Sequence, residues 1–185
     1  MGNVGLSPFT APNDLHLVPL GLTAALGSAR IPASKNIYKS FVGDWTIRSV
    51  AYPMHGPSKM TAGRWSFRWI LGGSAMEDVI GADDRDARGV WRAGVGVRFY
   101  DSAAHLWRIS YVEPFTNDVI LLTARRIGPN IVQTVVGGTV DPQVQETWTF
   151  EEIAPDSFRW IDRIRKHGGS WRVEQEIFAT RESLL

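Results

Sequence analysis

Tryptophan and arginine alternate along this chain, and that alternation constrains the fold more than any other feature. Trp65, Phe67, Trp69 and Leu71 share one side of a period-two pattern, while Arg64, Ser66, Arg68 and Ile70 share the other. Side chains swap faces at every residue only in a β-strand. The same pattern sets Trp45, Ile47, Ser49 and Ala51 against Thr46 and Arg48. It sets Trp107, Ile109, Tyr111 and Glu113 against Arg108 and Ser110, and Val95, Val97 and Phe99 against Gly94, Gly96 and Arg98.

Further strand-like runs follow the Gly72-Gly73 break and cover residues 74–80, 119–125, 131–136, 144–151, 157–165 and 171–180. Between them stand Gly128-Pro129-Asn130, Gly137-Gly138, Asp141-Pro142, Pro155-Asp156 and Gly168-Gly169, which are turn signals. About ten short strands at this spacing read as an antiparallel meander. An open sheet of that size leaves two long edges, so an all-β, up-and-down antiparallel barrel is the expected fold, with a two-sheet sandwich as the alternative. Residues 1–36 lack the alternation and read as an N-terminal arm or lid, with a short helix expected over Leu15 to Leu26. Residues 37–185 form the barrel domain.

The arginines set the phase. Arg48, Arg64, Arg68, Arg98, Arg108, Arg159, Arg163 and Arg172 all lie opposite the aromatic face of their own strands. An unpaired buried guanidinium is very costly, so this face is expected in water and the aromatics in the lumen. With eight Trp, eight Phe and four Tyr, the lumen is rich in rings. The inward set contains Trp45, Trp65, Phe67, Trp69, Val95, Val97, Phe99, Trp107, Ile109, Tyr111, Trp148, Phe150, Phe158, Trp160, Trp171, Val173 and Ile177. Of these, Trp65, Phe67, Trp69, Phe99, Trp107, Trp148 and Trp160 are the expected ligand-binding walls, joined by Gln133 and Gln175.

In the same phase come carboxyl groups: Glu113 after Tyr111, Glu146 before Trp148, Asp162 after Trp160, and either Glu77 or Asp78. Carboxyls in an aromatic enclosure with no arginine in phase have raised pKa values, and an acid beside a base is a catalytic arrangement. Asp162, Glu146, Glu113 and Tyr111 are therefore the expected catalytic groups.

Other function classes fit poorly. A formal net charge of +1 with scattered charges offers no nucleic-acid footprint and no polybasic membrane patch. There is no Cys, and His16, His55, His105 and His167 show no ligand spacing, so no metal and no cofactor are expected. Gly94-Val95-Gly96 lies within a strand-like run and is no dinucleotide fingerprint, and no Gly-x-Ser-x-Gly elbow is present. No stretch has the ~20 apolar residues of a membrane span. Leu15 to Ala29 is mildly apolar but lacks a basic flank and contains Pro19, so a cytoplasmic protein is expected rather than a secreted one.

Phe41-Val42-Gly43-Asp44-Trp45 resembles the Gly-x-Trp opening of the calycin superfamily, and Arg181 stands where such barrels place an arginine over that Trp. The chain also resembles a bacterial lipocalin-like family of unknown function. That likeness rests on Leu71-Gly72-Gly73, Val97-Arg98-Phe99-Tyr100-Asp101 with Trp107, Pro155-Asp156-Ser157-Phe158-Arg159-Trp160, Gly168-Gly169-Ser170-Trp171 and Thr180-Arg181. The resemblance implies a lipocalin-like barrel closed by Trp45 and Arg181, and implies nothing about chemistry. The expected function is a cofactor-independent isomerase, cyclase or lyase acting on an apolar or aromatic metabolite in the lumen. One alternative is a carrier or sensor of a small hydrophobic or cationic molecule. Another is a structural barrel whose outer face meets a protein partner. Oligomeric state is left open.

Overall fold

The computed structural model describes residues 23–85 and 91–182. A two-residue strand β1 (Thr23–Ala24) precedes ten long ones: β2 (Gly43–Ala51), β3 (Lys59–Ile70), β4 (Ala75–Arg85), β5 (Trp91–Asp101), β6 (Leu106–Glu113), β7 (Asp118–Ile127), β8 (Asn130–Gly138), β9 (Val144–Glu151), β10 (Ser157–Lys166) and β11 (Arg172–Arg181). Each long strand pairs antiparallel with its sequence neighbour, and β11 returns to pair with β2. Because β3 bonds to both β2 and β4, the sheet closes and the ten long strands leave no free edge. This is the up-and-down, lipocalin-like barrel.

One end of the barrel is sealed. At the end where β2 begins and β11 finishes, short 3-10 turns at Ala33–Lys35 and Lys39–Phe41 carry Ile31, Ile37, Tyr38 and Phe41 into the core. Phe41 packs on Phe150 and Phe158 with ring centroids 4.8 and 5.0 Å apart, and Tyr38 meets Trp107 edge-on at 5.0 Å. Buried indoles need acceptors, and the plug supplies them. Trp45 Nε1 donates to the Phe41 carbonyl (2.7 Å) and Trp107 Nε1 to the Lys35 carbonyl (2.8 Å). Most of the expected Leu15 to Leu26 helix lies outside the described residues. Its last part is not helical, since Thr23 and Ala24 pair with Ile70 and Trp69 of β3.

Trp45 and Arg181 latch the sealed end. The Arg181 guanidinium lies 4.1 Å from the Trp45 ring centroid and donates to the carbonyls of Ser40 (2.6 Å), Val42 (2.9 Å) and Pro155 (2.8 Å). Gly43 makes room for it: its φ is +133°, and a Cβ there would lie 2.6 Å from Arg181 Nη1. The Gly-x-Trp opening is thus a steric requirement of the latch.

The expected phase is reversed in β5. Arg98 points into the barrel and is 3% exposed, while Phe99 and Val97 face outward and are 46% and 38% exposed. Two facts explain the inversion. A Cβ at Gly96 would run into the Asp78 carboxylate and one at Gly94 into the Tyr111 hydroxyl, so opposing side chains already fill the inner face of β5. Arg98 is not an unpaired cation either, because it forms an ion pair with buried Asp78. Asp78, rather than Glu77, is the inward residue of β4.

Two further corrections come at β11. A bulge pairs Asp162 with Gln175 but Arg163 with Val173, leaving Glu174 as the extra residue and turning Val173 outward. Arg172 then pairs opposite Ile164 at the rim and bonds to the Tyr52 carbonyl and to Glu174. Trp171 precedes the strand, is 42% exposed and lies under Arg165. The other outer arginines behave as expected, with Arg68, Arg108 and Arg163 paired to Asp44, Asp101 and Glu151.

Truncating the latch by Arg181→Ala removes three charge-assisted hydrogen bonds and a ring contact. It should cost about 2–4 kcal/mol in urea unfolding, with Arg181→Lys restoring less than half. A loss below about 0.5 kcal/mol would mean that the plug seals the barrel without the latch.

Candidate functional site

The inward polar residues divide into two layers. The deeper one is built around Asp78 and Arg98. Trp65 Nε1 donates to Asp78 Oδ2 (2.9 Å), and the Arg98 guanidinium lies over the Tyr38 ring, 4.5 Å from its centroid. Gln133 Nε2 donates to the Tyr38 hydroxyl (2.8 Å). Burial pushes the Tyr38 phenol above its ordinary range, with Arg98 opposing.

The second layer lies toward the open end, in the upper halves of β6, β9, β10 and β11. Tyr111 and Trp148 stand nearly perpendicular (88°, centroids 5.2 Å apart), and Trp148 continues to Trp160 at 5.5 Å. Each of the first two rings carries a carboxylate on its polar atom. Tyr111 donates to Glu113 Oε2 (3.3 Å) and Trp148 Nε1 to Glu146 Oε1 (2.6 Å). Asp162 sits in register between Trp148 and Gln175, and its Oδ1 is buried with no hydrogen-bond partner. Gln175 turns to the Ser49 hydroxyl (2.7 Å).

The electrostatics are set first by burial. Desolvation raises Asp162 to about 8, helped by the charges of Glu146 and Glu174 and opposed by Arg172. Desolvation also raises Glu146, against its bond from Trp148, with Asp118 and Glu174 adding to the rise. Glu113 is raised for the same first reason, against its bond from Tyr111, and Tyr111 itself is raised by burial and by Glu113. Near neutrality this layer therefore holds a protonated acid, Asp162, with Glu146 diagonally across the β9–β10 pair. Among the described residues no set of three His, Asp or Glu side chains converges in a way that could hold a metal.

The expected site residues fall into separate places. Tyr111, Glu113, Glu146, Trp148, Asp162 and Gln175 come together at the open end, with Trp160 beneath. Trp65 and Gln133 belong to the deeper layer, where their polar atoms are already bonded. Phe67, Trp69 and Trp107 are packed into the sealed end. Phe99 is on the outer wall and lines nothing inside. Sequence reasoning missed Arg98, Tyr38 and Ser49. For Arg98 a signal existed: two glycines share its face, which marks a wall approached by something large. For Tyr38, in the plug, no periodic signal existed. Two clefts, of about 360 and 580 Å³, lie at the loops of the open end. The first is lined by Tyr52, Met54 and Val173 among others, the second by Asp141, Lys166 and His167, and neither includes the inward carboxyls.

No family model and no curated protein matches the chain. Solved structures do. Rv2717c from M. tuberculosis superposes with a TM-score of 0.53 at 12% identity, over 78% of this chain and 94% of that one. The S-type phycobiliprotein lyase CPES from Guillardia theta superposes with a TM-score of 0.55 at 10% identity, over 82% and 94%. At these identities the likeness establishes the lipocalin-like fold. Among the described residues no helix is long and apolar enough to cross a membrane.

The raised carboxyl gives a pH signature. In the unfolded chain Asp162 loses its proton near pH 4, whereas the folded protein keeps it to about 8. Between those values the folded state binds more protons, so stability should fall as pH rises and level off above about 8. Urea unfolding between about pH 5 and 8 should show this slope, and Asp162→Asn should flatten it. Equal slopes in both proteins would place Asp162 in water.

Proposed function

We propose that the protein draws a small, largely apolar or aromatic organic molecule into the open end of the barrel and rearranges it by acid–base chemistry, as an isomerase, cyclase or lyase. One observation carries this reading: Asp162 has a buried oxygen with no hydrogen-bond partner, diagonally across the β9–β10 pair from Glu146, and burial raises its pKa to about 8. Asp162 serves as the general acid and Glu146, anchored by the Trp148 indole, as the base that receives a proton. Tyr111 and Glu113 flank the reacting molecule, Gln175 orients its polar group, and Trp148 and Trp160 cover its apolar body. The sealed end keeps water out from below, which strengthens every charge interaction above it. A phycobiliprotein lyase among the structures of the same fold supports a barrel that handles a small molecule.

A second reading has a specific observation in its favour. Two perpendicular rings, each with a carboxylate on its polar atom, suit a cation held by ring faces and charge. The barrel would then be a carrier or sensor.

Compounds that raise the melting temperature in a thermal-shift screen should be followed for conversion by NMR. On the enzyme reading, Asp162→Asn and Glu146→Gln slow conversion at least about 100-fold while affinity stays within a few-fold. If both variants instead weaken binding and cationic compounds outcompete neutral isosteres, the carrier reading replaces it.

A further inference from the structure

The deeper layer holds two hydrogen-bond donors with no acceptor. Arg98 spends Nη2 on Asp78, but its Nε and Nη1 are buried and have no partner. The guanidinium carbon lies 4.5 Å from the Tyr38 ring centroid and 5.5 Å from that of Phe67, and rings offer no acceptor atom in the guanidinium plane. The Tyr38 hydroxyl accepts from Gln133 and so keeps its own proton to give. Donors left in this state inside a protein are costly, and native structures answer them with an ordered water or a bound group.

Charge decides which group fits. Arg98 and Asp78 already cancel, so a carboxylate added here would leave a net buried negative charge, and it would first have to pass Glu113 and Glu146 at the open end. A neutral oxygen acceptor brings no such penalty. We propose that Arg98 and Tyr38 form a second, deeper polar site that takes the oxygen of a neutral carbonyl group, as in a ketone, quinone or lactam. The inference rests on the reading that a small molecule enters at the open end, and it adds the substrate class. The molecule runs past Tyr111 and Trp148 with its carbonyl leading and its remaining body among the rings above. In this placement Arg98 and Tyr38 bind and polarise the carbonyl oxygen, while the carboxyls act on carbons further up.

The test compares three probes of one shape by calorimetry: 2-acetylnaphthalene, 2-ethylnaphthalene and 2-naphthoate. The ketone should bind at least about tenfold tighter than either of the others. Tyr38→Phe, which keeps the ring and removes only the hydroxyl, should weaken the ketone several-fold and leave the hydrocarbon unchanged. The double variant Asp78→Asn with Arg98→Met leaves no lone buried charge and should erase the preference. Should the double variant fail to fold, the ¹³C resonance of a carbonyl-labelled ketone decides the matter in the wild type, moving downfield on binding if the guanidinium donates to it. Equal binding of ketone and hydrocarbon, or an unmoved carbonyl resonance, overturns this site and leaves the open-end reading standing. Failure of all three probes to bind overturns the open-end reading as well.

Discussion

The ion pair between Arg98 and Asp78 divides the interior of this barrel into two halves with different chemistry. A buried pair gains little net stability over an apolar substitute, because removing both charges from water offsets most of their attraction. Its effect is on organisation. Asp78 fixes the indole of Trp65, Arg98 underlies Tyr38, and Tyr38 carries the bond from Gln133. The pair thereby ties β3, β4, β5 and β8 to the segment that plugs the barrel. Below it the aromatics meet one another and are satisfied. Above it the carboxyls meet aromatics, and one of them, Asp162, has an oxygen with no partner.

The plug gives this division a direction. Ile31, Ile37, Tyr38 and Phe41 fill the end that Trp45 and Arg181 latch, and the half-buried carboxyls lie toward the other end. That asymmetry explains why burial raises Asp162 so far. Its closest neighbours are a ring on one strand and an amide on the other, with the nearest opposing charge, Arg172, at the rim and engaged with Glu174. A carboxyl in such surroundings keeps its proton unless something cationic arrives, and the acid–base reading begins from that state.

Much of this was legible in the sequence. Period-two alternation placed Trp45, Trp65, Trp107 and Trp160 inside, and the turn signals set the number of long strands. The failures have physical causes. In β5 the rule that apolar faces point inward was misapplied, because it treats glycine as empty space. Gly94 and Gly96 are there because Tyr111 and Asp78 press against that wall, and the valines outside are what remains. The rule that arginine faces water failed at the same strand because it holds only for an unpaired cation, and its partner lay on β4, whose phase alternation alone could not assign. At β11 a bulge moved Val173 across the sheet, and a single inserted residue leaves no trace in a pattern read one strand at a time. Tyr38 could not be found at all, since a plug has no period.

Among the described residues four buried side chains have polar atoms that find no hydrogen-bond partner, and they are not equivalent. Asn36 belongs to the plug. Arg159 lies on the outer wall with its other nitrogens engaged by Glu152 and Glu176, so its free Nε is a small loss within a satisfied group. Asp162 and Arg98 are different, because each is inside the barrel, and one lacks a donor while the other lacks an acceptor. A fold optimised for stability alone would have paired or removed them, as it did for Gln133, Gln175 and the indoles of Trp45, Trp65 and Trp107. They lie in successive layers on the path from the open end, one with an unclaimed oxygen and the other with unclaimed N–H groups. A molecule with its own acceptor and its own transferable proton completes both, which is the physical reason to place the function there and not on the outer wall.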